Sequence, residues 1–205
     1  MFCKIVGGVL SPLLANVLLD EADKELERRG LVFARYADDL NVYTGSKRAA
    51  NDAMLTLKRL FAKLRLQVNE SKSAVARVWE RKFLGYSFWV AKGRVVRHRV
   101  APTALAEMKA RVRAITSRTG GRGMESVAKE LRSYLTGWKL YFQLAETPRV
   151  FSDLDEWIRR RLRAIVHKQT RSTRCWWRAA SSGALHSALP NSHFDRLGVP
   201  RLAGR

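Results

Sequence analysis

The chain has 205 residues, with 39 Lys and Arg against 18 Asp and Glu and a formal net charge of +21. That length allows one domain or two small ones with a real core, and the basic excess points to nucleic acid before any other polyanion. No apolar run reaches the ~18 residues needed to cross a bilayer. The N-terminus lacks a charged segment leading into an apolar run and cleavage site, and Cys3 and Cys175 form neither a disulfide framework nor a Cys-x-x-Cys zinc motif. The expected setting is a reducing cytosol or nucleoid, with no membrane partner.

Up to about residue 100, short strands and helices alternate. Ser11-Pro12 offers an N-cap hydroxyl followed by Pro at the first helical position. Leu13, Leu14, Val17, Leu18 and Ala22 follow at helical spacing, and Gly30 is placed to end the helix. Residues 31–44 read as a hairpin, Phe33-Ala34-Arg35-Tyr36 and Leu40-Asn41-Val42-Tyr43 flanking a turn at Asp38-Asp39. An ordinary tight turn would use Asn-Gly or Asp-Gly. Two adjacent acids repel each other, and the pair makes chemical sense when Mg²⁺ neutralises it, because that ion is held by one or two carboxylates plus substrate phosphates. A second helix follows Gly45-Ser46, with Ala53, Leu57, Leu60, Phe61 and Leu64 on one face. Strands are expected at residues 73–79, 83–90 and 94–100, with Gly93 turning between the last two.

Past Pro102 the periodicity is helical. Residues 101–116 carry Leu105, Met108, Val112 and Ile115. A flexible Gly120-Gly121-Arg122-Gly123 break precedes residues 125–144, with Val127, Leu131, Leu135, Trp138 and Phe142. Beyond Pro148 a third stripe runs through Leu154, Ile158, Leu162 and Ile165. All three stripes are expected to be core. From Trp157 to Phe194 there is no acid, yet this stretch holds Arg159, Arg160, Arg161, Arg163, Lys168, Arg171, Arg174 and Arg178, with Trp176-Trp177 among them. Aromatics among arginines suit base stacking and guanidinium–phosphate contact, so these residues are expected to bind RNA.

Several motifs now stand in order: Gly7-Gly8-Val9-Leu10-Ser11-Pro12, Tyr36-Ala37-Asp38-Asp39, Leu64-Arg65-Leu66-Gln67-Val68-Asn69-Glu70-Ser71-Lys72, and Phe83-Leu84-Gly85-Tyr86. Tyr134-Leu135-Thr136-Gly137-Trp138, Leu154-Asp155-Glu156-Trp157-Ile158-Arg159-Arg160-Arg161 and Asn191-Ser192-His193-Phe194 continue the series. In this order they resemble the reverse transcriptases of bacterial group II introns, also called maturases. The resemblance implies an α+β fold, with a partial reverse-transcriptase palm over residues 1–100 and an all-helical thumb/maturase domain over 101–205. It implies RNA-directed DNA synthesis with two Mg²⁺ ions, Asp38 and Asp39 as metal-binding catalytic residues, and Lys72 near the incoming triphosphate. Gly7, Gly8, Tyr36 and Ala37 would approach primer, template or nucleotide, and Phe83, Leu84 and Gly85 would support the primer. The implied partners are group II intron RNA, dNTPs and a DNA primer or target, in a bacterial cytoplasm.

Departures from the family pattern matter. Ile5-Val6 stand where the family carries Pro-Gln, and Met1 to Val6 look unrelated to it. No acid precedes Asp20, so the further metal-binding aspartate of the family's palm has no counterpart. Two carboxylates from one hairpin cannot hold two metals for in-line displacement. The chain is therefore expected to be inactive as a polymerase alone, with intron RNA binding and splicing support as its remaining activity. An inactive RNA-binding module, a truncated remnant or one half of a split enzyme, completed by a separate N-terminal chain, are the alternatives.

Overall fold

The structure is a computed structural model and describes residues 10–117, 121–169 and 189–203. The chain divides into two compact units between Arg77 and Val78.

In the first unit, helix α1 (Ser11–Arg28) is followed by strands β1 (Val32–Tyr36) and β2 (Asp39–Tyr43) and helix α2 (Lys47–Lys63). The cap position of α1 is Leu10, with Pro12 in the first turn. Gly30 ends α1 as expected, at φ 64°. Its N–H donates to the Glu27 carbonyl (2.8 Å) and that of Leu31 to Leu26 (3.0 Å), the paired bonds of a Schellman motif. Helix α2 is capped by the Ser46 hydroxyl, which accepts from the Ala49 N–H at 3.2 Å. Ala22, Leu26, Ala53 and Leu57 are buried in this unit. By contrast Leu13, Leu14 and Val17, the start of the α1 stripe, are each more than half exposed.

The second unit opens with a 3-10 turn (Val78–Glu80) and a three-stranded antiparallel sheet, β3 (Lys82–Phe83), β4 (Tyr86–Val90) and β5 (Val96–Val100), in that order. Helices α3 (Pro102–Ile115), α4 (Met124–Tyr141), α5 (Pro148–Gln169) and α6 (Asn191–Arg196) follow. The helical stripes form the core as expected, with Met108, Val112, Leu131, Leu135, Ile158 and Leu162 fully buried. Phe194, Val199 and Leu202 of the C-terminal segment join the same core.

Two strand expectations change. Residues 73–79 form no strand and end in the 3-10 turn. The run 83–90 is broken at Leu84-Gly85, both at positive φ (50° and 74°), which makes a two-residue turn joining β3 to β4. The sheet packs with the helices of its own unit. Tyr86 lies 5.1 Å from the Phe142 ring, the Tyr141 hydroxyl donates to the Leu84 carbonyl (3.0 Å), and the Glu146 N–H donates to His98 (2.8 Å). Aromatic contact and backbone pairing thus join β3, β4 and β5 to the helices in the unit that begins at Val78.

Candidate functional site

Local sequence explains the hairpin tip. Register pairs Tyr36 with Asp39, which leaves Ala37-Asp38 as the two-residue turn and makes Asp39 the first residue of β2. Ala37 sits at φ 52°, where an L-residue costs about 1–2 kcal/mol. Arg35 anchors the tip. Its guanidinium donates to both Asp23 oxygens (2.9 Å from Nε to each), to Asn16 Oδ1 (2.8 Å) and to the Ala37 carbonyl (3.1 Å). The Asp23 carboxylate raises the Arg35 pKa above its ordinary value, which keeps this fastening charged. The sequence reading missed Arg35, Asp23 and Asn16. Its only available signal was an arginine inside an otherwise apolar strand.

Asp38 and Asp39 are exposed, and neither carboxylate has a hydrogen bond or ion pair among the described residues. Two exposed, uncompensated oxygen donors fit one end of a Mg²⁺ site, which substrate phosphates would complete. They do not fit a pair of ions, because no group of three or more His, Cys, Asp or Glu residues is placed to share a metal among the described residues. Lys72 lies beyond α2 in an irregular segment, its backbone N–H donating to the Asn69 carbonyl (3.1 Å). Gly7 and Gly8 lie outside the described residues. In the second unit, Phe83, Leu84 and Gly85 form the β3–β4 turn, and a Cβ at Gly85 would come 3.1 Å from Phe142 Cζ.

The basic stretch proves heterogeneous. Arg159 is 2 % exposed and donates to Asp195 Oδ1 (2.8 Å) and the Val199 carbonyl (3.1 Å). Arg163 is 4 % exposed and donates to the Leu189 carbonyl (3.0 Å) and Asn191 Oδ1. Burial lowers its pKa, and the nearby charges of Arg159 and Arg160 add to that. Arg161 donates to the Thr116 hydroxyl (2.7 Å), and its guanidinium lies 5.5 Å from the Trp157 ring. Arg160 alone of the four is exposed. Lys168 belongs to α5, its side chain outside the described residues, as are Arg171, Arg174, Trp176, Trp177 and Arg178 altogether.

Arg159 and Arg163 therefore hold the C-terminal segment rather than offering free charge. Three other side chains assist them. Asp155 accepts from the Leu202 N–H (2.9 Å), Arg132 donates to Leu197 and Gly198 (3.0 and 2.9 Å), and Lys139 donates to Arg201 (2.9 Å). Asp195 also pairs with Arg201. That hydrogen bond, with the one from Arg159, holds its carboxyl below the usual range.

The comparisons with known proteins match two families along the chain. Residues 5–88 match the reverse transcriptase (RNA-dependent DNA polymerase) family, a match that includes the carboxylate hairpin and begins within the stretch read as unrelated. Residues 105–183 match the group II intron, maturase-specific domain, which takes in most of α3 and all of α4 and α5. A polymerase segment followed by a maturase-specific helical segment defines one class of intron-encoded protein. The chain belongs to the group II intron reverse transcriptase/maturase family. No individual curated protein matches it. Among the described residues no helix is long and apolar enough to cross a membrane.

Proposed function

We propose that the helical part of this reverse transcriptase/maturase grips group II intron RNA and supports its folding and splicing, and that Asp38 and Asp39 form the metal-facing tip of its polymerase site. The observation that carries the RNA-binding reading is the surplus of exposed cations. Lys129, Arg149 and Arg160 are exposed and have no carboxylate partner among the described residues. They offer charge for phosphate neutralisation, a role that requires no metal. Arg171, Arg174, Trp176, Trp177 and Arg178 extend this reading by sequence alone.

For the polymerase tip, Mg²⁺ when bound supplies Lewis-acid activation and charge neutralisation at phosphate. The chain's own contribution is to hold two carboxylates side by side on a turn fastened by Arg35. Tyr36 would lie beside the primer end and Lys72 toward the triphosphate, with Gly7 and Gly8 near the template. Phe83 to Gly85 would support the primer strand. A further carboxylate would complete the metal site.

The test has two arms. Filter binding of a group II intron RNA at increasing salt is expected to give a steep log–log slope, with weaker binding to an unrelated RNA of equal length. Equal affinity for both would remove the claim of intron specificity. Primer extension with Mg²⁺, dNTPs and an RNA template is expected to stay at background for this chain alone. Robust synthesis that Asp38→Asn abolishes would show that the two carboxylates suffice.

A further inference from the structure

Two buried polar groups lack partners near one end of the sheet in the second unit. Trp89 Nε1 and Thr147 Oγ1 are both inaccessible and make no hydrogen bond. Both residues line the same cleft of about 310 Å³, together with Arg99, Leu105 and Val150. Leaving a buried donor unpaired is costly, and such groups call for a partner. Trp89 and Arg99 also line a second, wider groove of about 680 Å³, where Trp79, Phe88 and Arg94 join them. The two clefts therefore share an indole and a guanidinium.

Charge identifies the occupant. Between Glu80 and Glu107 the sequence contains no acid, while Lys92, Arg94, Arg97 and Arg99 cluster on β5 and the loop leading into it. Glu146 reaches this sheet and is engaged by the His98 N–H at 3.1 Å, and Glu80 lies in the 3-10 turn beside it. Arg99 donates only through Nε, to the Ser87 hydroxyl (3.1 Å), among the described residues. Apolar rings with cations and hydrogen-bond donors beside them match one ligand chemistry, a nucleobase attached to phosphate. An acidic peptide would use the arginines and leave the aromatic walls and the indole donor unused.

We propose that this groove is a binding site for an unpaired nucleic-acid strand. One base enters the smaller cleft against Trp89, and its entry opens the inaccessible indole N–H and Thr147 hydroxyl to hydrogen-bond its polar edge. The flanking backbone runs along Arg99 and Arg94 toward Trp79. The site lies near the end of the β4–β5 hairpin opposite the Leu84-Gly85 turn, and its lining includes none of Arg159, Arg160, Arg161 and Arg163. It rests on the reading of this unit as nucleic-acid-binding and adds a place where single-stranded chain is recognised.

The experiment uses the full chain with labelled oligouridylate and oligothymidylate, read by fluorescence anisotropy and by the indole N–H resonances. The Trp89 resonance is assigned from its disappearance in Trp89→Phe. Saturating oligouridylate is expected to shift it, and Trp89→Phe and Thr147→Val are expected to bind roughly tenfold and threefold more weakly. A Trp89 resonance that stays in place while the oligonucleotide binds would overturn the site and leave the broader reading intact. So would an acidic peptide that shifts it equally. No binding of any nucleic acid by the wild-type chain would sink both. Thr147→Val buries a methyl in place of a hydroxyl, so it tests the site even if Trp89→Phe melts early.

Discussion

Asp195→Asn offers a direct measure of how the C-terminal segment is held. The substitution leaves Arg159, 2 % exposed, with neutral acceptors only. Breaking a fully buried pair by removing one partner costs about 3–5 kcal/mol. The Asp195 side chain is 32 % exposed and Arg159 keeps the Val199 carbonyl, so solvent and that bond bring the expected loss to about 2 kcal/mol. For a unit of this size that is a fall in Tm of roughly 8 °C at neutral pH. Arg201→Gln removes the other partner of Asp195, which is 58 % exposed, and should cost no more than about 0.5 kcal/mol. Thermal melts followed by circular dichroism, with limited proteolysis of the C-terminal segment, separate the two variants. The pH dependence supplies a second reading. Because the folded Asp195 carboxyl titrates below its unfolded value, its contribution is full above about pH 4 and is lost as pH falls through the folded value. The gap between wild type and Asp195→Asn should therefore close in acid. Equal stability of Asp195→Asn and Arg201→Gln at pH 7 would refute the argument that burial of Arg159 makes its partner indispensable.

Backbone strain gives two more expectations. Ala37→Gly should stabilise the first unit by about 0.5 kcal/mol, the relief at φ 52° exceeding the added unfolded-state entropy, while Ala37→Val should destabilise it by more than about 1 kcal/mol. Urea unfolding of both variants reads the sign, and a stabilising valine would disprove the assigned turn. Gly85→Ala combines φ 74° with a Cβ 3.1 Å from Phe142, whose ring is fixed 4.7 Å from Trp138, and should cost about 2 kcal/mol. Gly93→Ala meets nothing within 4 Å at φ 86° and should cost about half as much. Equal losses would mean that Phe142 yields freely.

Much of the fold was legible because its signals are local. Gly30, Ser46 and the three helical stripes act through capping and periodicity, and a single sequence displays both. Packing partners are less visible. Leu13, Leu14 and Val17 have helical spacing, yet among the described residues nothing buries them, since periodicity names a face and not what covers it. The break at Leu84-Gly85 was hidden because the close approach of Phe142 to Gly85 and the Tyr141 bond to the Leu84 carbonyl join segments far apart in sequence. At the candidate site, the carboxylate pair could be read directly, whereas its support by Arg35, Asp23 and Asn16 depends on contacts between segments far apart in sequence.

The arginines of α5 show where counting charge misleads. Residues 159 and 163 are one helical turn apart and share a face, so both point inward, and Arg160 falls on the exposed side. Only the exposed side can release counterions when phosphate binds. Arg160→Gln should then reduce the magnitude of the salt slope of RNA binding by roughly 0.7–0.9, the value for one lost phosphate contact, with Tm unchanged. Arg163→Met should leave the slope alone and lower Tm, because Leu189 and Asn191 lose their donor. Salt titrations of both variants at a temperature where each is folded decide between the two roles. A reduced slope for Arg163→Met at unchanged Tm would mean that Arg163 turns outward to meet RNA, and that its bonds to the C-terminal segment are the resting state of a binding residue.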